Sequence, residues 1–198
     1  MTDAVPFHFG YAAADLDRAT GLHSGLGVRR WVRSEWRTTV YFDAGAGGLI
    51  EPRSRVAYGR LTDDIALEFL EVDPAGPAPL VWQLSAAGVG PGHLGHWVRD
   101  SAPVARRLLR AGGRIVMARA DSDATRALTV EAAADPDGVP DELDTCYVLT
   151  AAGQLVELVP AAIWSGRLVT TFGPDTPEVI PRPPDALRPA APGTAAPA

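Results

Sequence analysis

Two segments of this chain repeat one arrangement of residues able to hold a metal ion. His8-Phe9-Gly10 leads to Asp15 and then Gly27, and His93-Leu94-Gly95 leads to Asp100 and then Gly112. In both copies Asp follows His by seven residues and Gly follows Asp by twelve. A repeat that keeps an imidazole points to two matched modules, each supplying a ligand to something held between them. Each half also ends with a glutamate in an apolar row: Glu68 shares a face with Ala66 and Leu70, and Glu157 with Leu155 and Val159. A carboxylate among such neighbours is costly unless it meets a cation, a metal or a donor. Two imidazoles and two carboxylates, from His8, Glu68, His93 and Glu157, suit a five- or six-coordinate divalent metal with positions left for water or substrate. The plainer alternative is four satisfied core polar residues that recur because a duplication preserved fold signals.

Positioning these side chains requires a strand, a helix and a set of strands in each half. With period two, Phe7, Phe9, Tyr11 and Ala13 face one way. His8, Gly10 and Ala12 face the other, which leaves room beside the imidazole. Asp15 caps a helix whose apolar stripe is Leu16, Ala19, Leu22 and Leu26 and whose stop is Gly27, with His23 off the stripe as a solvated residue. In the twin, His93, Gly95 and Trp97 share a face, while Leu94, His96 and Val98 share the other, so His96 is structural. Asp100 or Ser101 caps the second helix, Pro103 fits its first turn, and Val104, Leu108 and Ala111 form its inner stripe.

Residues 28–42 mix arginines and aromatics as one or two strands with a wet face, an alternative being a hold on an anionic substrate. Residues 43–48 form a connector that lacks the Lys-Ser/Thr of a phosphate loop. Hairpins are expected at 55–61 with 65–72 and at 145–149 with 154–159, and short strands at 114–117 and 129–133. The resulting boundaries are a first module at 1–75, a linker at 76–91 with a short helix, a second module at 92–162 and a Pro/Ala-rich tail at 163–198. The end of that tail, 181–198, is expected to be disordered or loosely docked.

Bulk properties narrow the function classes. The 198 residues are 46% hydrophobic, enough for one good core or two small fused modules. A formal charge of −6 and thinly spread arginines argue against a nucleic-acid partner. No stretch reads as a signal peptide or membrane span, so a cytoplasmic protein with no membrane partner is expected. The single cysteine, Cys146, excludes an internal disulfide and reads as a small buried hydrophobe.

Four stretches in order resemble the vicinal oxygen chelate superfamily, specifically its glyoxalase and methylmalonyl-CoA epimerase branch. They are His8 with Asp15 and Gly27; Arg55-Val-Ala-Tyr-Gly-Arg-Leu with Ile65-Ala-Leu-Glu-Phe-Leu; His93-Leu-Gly-His-Trp-Val-Arg-Asp100; and Tyr147-Val-Leu-Thr-Ala-Ala-Gly-Gln-Leu-Val-Glu-Leu-Val159. The resemblance covers about residues 5–160 and implies an α+β fold of two tandem βαβββ modules whose curled mixed sheets surround a central cavity. It also implies that His8, Glu68, His93 and Glu157 bind a divalent metal (Zn, Ni, Co, Mn or Fe). The reaction implied is removal of a proton next to a metal-bound carbonyl of a small molecule, by an isomerase, epimerase or lyase. By resemblance Glu157 is ligand and base together, with Glu51 or Glu35 as second acid/base. Gly10, Ala12 and Gly95 would leave space for substrate, and Trp97 would form an apolar wall. The alternative from the same superfamily is a metal-free binding or resistance protein of the bleomycin-sequestering type. The modules pair either within one chain or across a homodimer.

Overall fold

The computed structural model describes residues 3–87 and 92–188. Residues 88–91 of the expected linker and 189–198 of the expected tail lie outside the described residues. The first half runs β1 (Ala4–Ala12), α1 (Leu16–Gly25), β2 (Trp31–Arg33), β3 (Arg37–Thr38), β4 (Tyr41–Asp43), β5 (Gly48–Ile50), β6 (Arg53–Arg60) and β7 (Ala66–Val72). After α2 (Leu80–Ala87), the second half runs β8 (His93–Val98), α3 (Ser101–Arg110), β9 (Arg114–Arg119), the single turn α4 (Asp123–Arg126), β10 (Cys146–Leu149) and β11 (Leu155–Pro160). All eleven strands join one curled mixed sheet in the order β2-β6-β7-β1-β8-β11-β10-β9-β4-β5, with β3 on β6.

The duplication is plain in the pairing. β1 runs parallel to β7, the last strand of its half, and β8 runs parallel to β11, the last strand of the other. The two leading strands then pair antiparallel at the seam, with His8 opposite Gly95 and Gly10 opposite His93. One chain therefore brings both histidine strands together. The hairpin of β4 and β5 departs from this scheme: it leaves the first half and pairs through β4 with β9 of the second. Residues 43–48, read as a connector, are the turn of that hairpin and the start of its second strand.

The helices begin and stop where their caps dictate. The Asp15 carboxylate accepts the Arg18 N–H at 3.0 Å, and Gly27 and Gly112, at φ of 105° and 86°, turn the chain out of α1 and α3. Asp100 stands at the N-cap of α3 without a side-chain bond. α1 is rotated from the expected stripe: Leu22 and Leu26 are exposed, and Leu16 and Thr20 are buried. The Thr20 hydroxyl donates to the Leu16 carbonyl at 2.9 Å, which satisfies it inside. His23, expected in solvent, lies on this inner face with its ring 4.7 Å from that of Phe69. α3 buries Ala102, Val104, Ala105 and Leu109 against Ile115, Val148 and Leu158. No strand forms at 129–133; the Ala132–Ala134 segment is a 3₁₀ turn, its backbone folding on Thr129 and Glu131 carbonyls.

The chain after β11 covers the face of the sheet opposite α1 and α3. Short helical turns, including α5 (Val169–Phe172) and α6 (Thr176–Val179), place Trp164, Val179, Ile180 and Leu187 in one buried cluster with Phe7, Tyr58, Trp97 and Val159. The Trp97 indole N–H donates to the Pro181 carbonyl at 3.1 Å. Residues 163–188, expected as a tail, are a packed cover, because their scattered apolar residues meet an apolar face that would otherwise be wet. Among the described residues no helix is long and apolar enough to cross a membrane.

Candidate metal centre

The sheet brings the four expected ligands to its covered face in two rows. Residues opposite one another in adjacent strands share a face. One row reads Tyr58, Glu68, Gly10, His93, across β6, β7, β1 and β8. The other reads Tyr147, Glu157, Gly95, His8, across β10, β11, β8 and β1. Each half thus supplies Tyr, Glu and Gly to its own row, and the other half completes it with the histidine. The two tyrosines sit ten residues before their glutamates in both halves. That spacing is a further element of the repeat, beyond its His, Asp, Gly and Glu.

Where the rows meet, one atom from each of His8, Glu68, His93 and Glu157 lies within 4.8 Å of the other three, and all four residues are buried. The two imidazole Nε2 atoms are 3.1 Å apart. His93 Nε2 lies 2.8 Å from Glu68 Oε2, and His8 Nε2 lies 2.9 Å from Glu157 Oε2. The latter contact lacks hydrogen-bond alignment, so Glu157 Oε2 is a buried oxygen that accepts no hydrogen bond among the described residues. Two ring nitrogens and two carboxylate oxygens aimed at one point, one oxygen with no donor, fit the ligand set of a divalent cation. Glu68 differs from its twin in being fixed: the Tyr58 hydroxyl donates to its Oε1 at 2.5 Å. Tyr147 makes no corresponding bond among the described residues, and its ring packs edge-on against His93 at 5.3 Å.

Electrostatics in this pocket follow from opposite charges held out of water. Burial opposes charge on His93, yet its contacts with Glu157 and Glu68 outweigh this and push its pKa up to about 10. His8 is also raised, burial being outweighed by the Glu68 and Glu157 carboxylates. Burial would raise both carboxyls, and Glu68 would raise Glu157 further. The imidazoles prevail, holding Glu68 well below and Glu157 below the usual range. Burial and the Glu68 charge raise the Tyr58 phenol well above its ordinary value. The metal-free centre therefore carries a proton on His93 at neutral pH, and cation binding must expel it. Apparent affinity should rise with pH, by about tenfold per unit for each proton released, and fall toward acid. Calorimetric titration with zinc in buffers of differing ionisation enthalpy should show release of at least one proton; buffer-independent heats would contradict it.

The glycines have a different role from the one expected. A methyl carbon at Gly95 would lie 1.9 Å from His8 Cε1, and one at Gly10 would lie 1.9 Å from His93 Cε1. The space beside each glycine is filled by the imidazole from the other half, so neither leaves room for substrate. With both Nδ1 atoms unbonded among the described residues, the rings are oriented by packing against glycine backbone and the Tyr58 and Tyr147 rings. Trp97 lies on the ligand face as expected but is buried, stacked on Phe7 at 3.9 Å and edge-on to Trp164, so it backs the wall that Phe7 presents. Glu51 and Glu35 are exposed, and neither lines the cavity, because both lie in connections outside the ligand rows. His96 is outside the cluster, its Nδ1 3.2 Å from the Leu94 carbonyl oxygen, and Cys146 is buried.

A cavity of about 130 Å³ opens beside Glu68 and Glu157. Pro79, just before α2, and Ile163, Leu168 and Phe172 from the C-terminal cover also line it.

No protein-family model and no curated protein matches the chain. Solved structures do. A hypothetical protein from Bacillus halodurans aligns at 13% identity and a TM-score of 0.44, covering 79% of this chain and 94% of its own. A mutant 4-hydroxymandelate synthase from Streptomyces coelicolor aligns at 16% identity and a TM-score of 0.44, over 79% of this chain and 48% of the synthase, about half its length. A glyoxalase family protein from Bacillus cereus aligns at 15% identity and a TM-score of 0.26, over 77% and 90% of the two chains. The strand order of this chain, the parallel closure of each half and the antiparallel seam give it a paired βαβββ fold.

Proposed function

We propose that this chain is a divalent-metal-dependent enzyme that removes a proton next to a carbonyl group of a small molecule, as an isomerase, epimerase or lyase. The observation that carries this reading is the convergence of four buried ligand atoms within 4.8 Å at the wall of a cavity. His8, Glu68, His93 and Glu157 would hold the cation. When bound, it would supply Lewis acidity, stabilising negative charge that develops on a carbonyl oxygen. The base is Glu157. It is ionised at neutral pH, borders the cavity and has an oxygen with no donor, whereas Tyr58 holds its twin Glu68 in place. Phe7, Val159 and the cover line the cavity beside this carboxylate and shield it from bulk water.

Elemental analysis of protein purified without a metal-affinity tag should find close to one divalent metal per chain, and the Glu157→Ala variant should lose most of it. Metal-free wild-type protein that takes up none on titration would end this reading.

A further inference from the structure

The two halves place their ligands alike but build different walls beyond them. On the first half, the residues two positions past Glu68 and before Tyr58 are Leu70 and Val56, followed by Val72, and all three line the cavity. On the second half, the positions corresponding to Val56 and Ser34 are Thr145 and Arg119, since the Arg119 N–H donates to the Thr145 carbonyl at 2.8 Å as the Ser34 N–H does to the Val56 carbonyl at 2.9 Å. Tyr41, brought in by β4, pairs opposite Arg119 and extends that row. Apart from Ser54, the first wall is apolar, and the second carries a guanidinium, a phenol and a hydroxyl beside Val159, the counterpart of Leu70.

Arg119 is braced from behind. Its Nε donates to Asp121 at 2.5 Å, and Asp121 also accepts from Arg167 at 2.8 Å. Arg167 is fully engaged, with two bonds to Asp144 and one to Thr145. The terminal nitrogens of Arg119 make no hydrogen bond among the described residues, nor does the Tyr41 hydroxyl. Tyr41 lies close enough to feel both guanidinium charges. The same Arg119, Arg167 and Tyr41 line a wider vestibule of about 530 Å³ toward solvent, where Arg37 adds a third guanidinium. From the Glu157 backbone, Arg119 stands two strands across and two residues along, about 10 Å by about 7 Å.

We propose that the site takes a small carbonyl compound bearing a carboxylate remote from the reacting carbonyl. The carboxylate is held by the Arg119 terminal nitrogens and the Tyr41 hydroxyl, with the apolar body against Val56, Leu70 and Val72. This rests on the metal-enzyme reading for the position of the carbonyl. The carboxylate site itself is built from residues that are not ligands. A charged donor pair matched to a carboxylate in a partly desolvated wall favours the anion over its neutral ester by about tenfold or more.

The test compares 4-oxopentanoate, 5-oxohexanoate and 6-oxoheptanoate with their methyl esters, measuring Kd by calorimetry on zinc-loaded and on metal-free protein. At least one acid should bind about tenfold tighter than its ester. That preference should drop below about threefold in Arg119→Leu and largely return in Arg119→Lys, with zinc content unchanged in both. Arg119→Gln, which can still bond Asp121, serves if Arg119→Leu does not fold. Acids and esters binding alike across the series, or a preference that survives loss of the guanidinium, overturns the proposal and leaves the metal centre standing. Failure to load zinc defeats the metal reading instead, while the metal-free comparison still decides the role of Arg119.

Discussion

Gly95→Ala should abolish tight metal binding while leaving a folded protein. The added methyl would sit 1.9 Å from His8 Cε1, far inside contact distance, so the imidazole must leave its position. The backbone of Gly95 does not have a positive φ, so the conflict is with the ring and not with the chain's own conformation. Overpacking of this kind costs about 1–3 kcal/mol, which a domain of this size can survive. Displacing one of two nitrogen ligands is more damaging to the centre, and we expect zinc affinity to fall by at least about 100-fold. Zinc titration beside a thermal melt of the metal-free variant separates the outcomes. Unchanged affinity would show that His8 does not bind the cation. Gly10→Ala, which meets His93 at the same distance, should reproduce the result from the other half.

Glu157→Gln should separate ligation from proton transfer. The amide keeps the shape and an oxygen that can still bind a cation, but it cannot accept the substrate proton. Metal affinity should weaken by about 10- to 100-fold, a loss that saturating metal restores. At saturating zinc, exchange of solvent deuterium into an oxo acid that the wild type exchanges should be slower by about 10²–10⁴, the usual contribution of a positioned base. The matching Glu68→Gln variant should retain much more exchange, since Glu68 is held by Tyr58 and is assigned no proton. Equal losses in the two variants would remove the distinction drawn between them.

Much of this centre was legible in the sequence because its parts obey strong local rules. The His-to-Asp-to-Gly spacing is repeated, and period-two alternation puts Glu68 and Glu157 in apolar rows, so the four residues of the buried cluster can be named without a fold. The glycines were read as substrate space because alternation tells which face a residue occupies but not which strand lies beside it. Only the antiparallel seam shows that each glycine faces the other half's histidine. Arg119 falls between the short strands expected at 114–117 and 129–133, and Tyr41 in the segment that mixes arginines and aromatics. Their meeting depends on a hairpin crossing to the other half, which local pattern does not encode. The cover at 163–188 was hidden by its composition: proline and alanine suggest a tail, and the few residues that dock it, Trp164, Val179, Ile180 and Leu187, follow no regular period.

The crossing hairpin also bears on how the protein assembles. β4 and β5 are synthesised well before β9, yet they complete the sheet edge beyond it. A ladder between such distant segments forms only after a large loop has closed, and closure of this kind slows folding. Until then β9 is an unpaired edge, open to association with other chains. The wall bearing Arg119 and Tyr41 is therefore bound to the slow part of the folding reaction, whereas either hairpin bearing a glutamate can form from neighbouring residues alone.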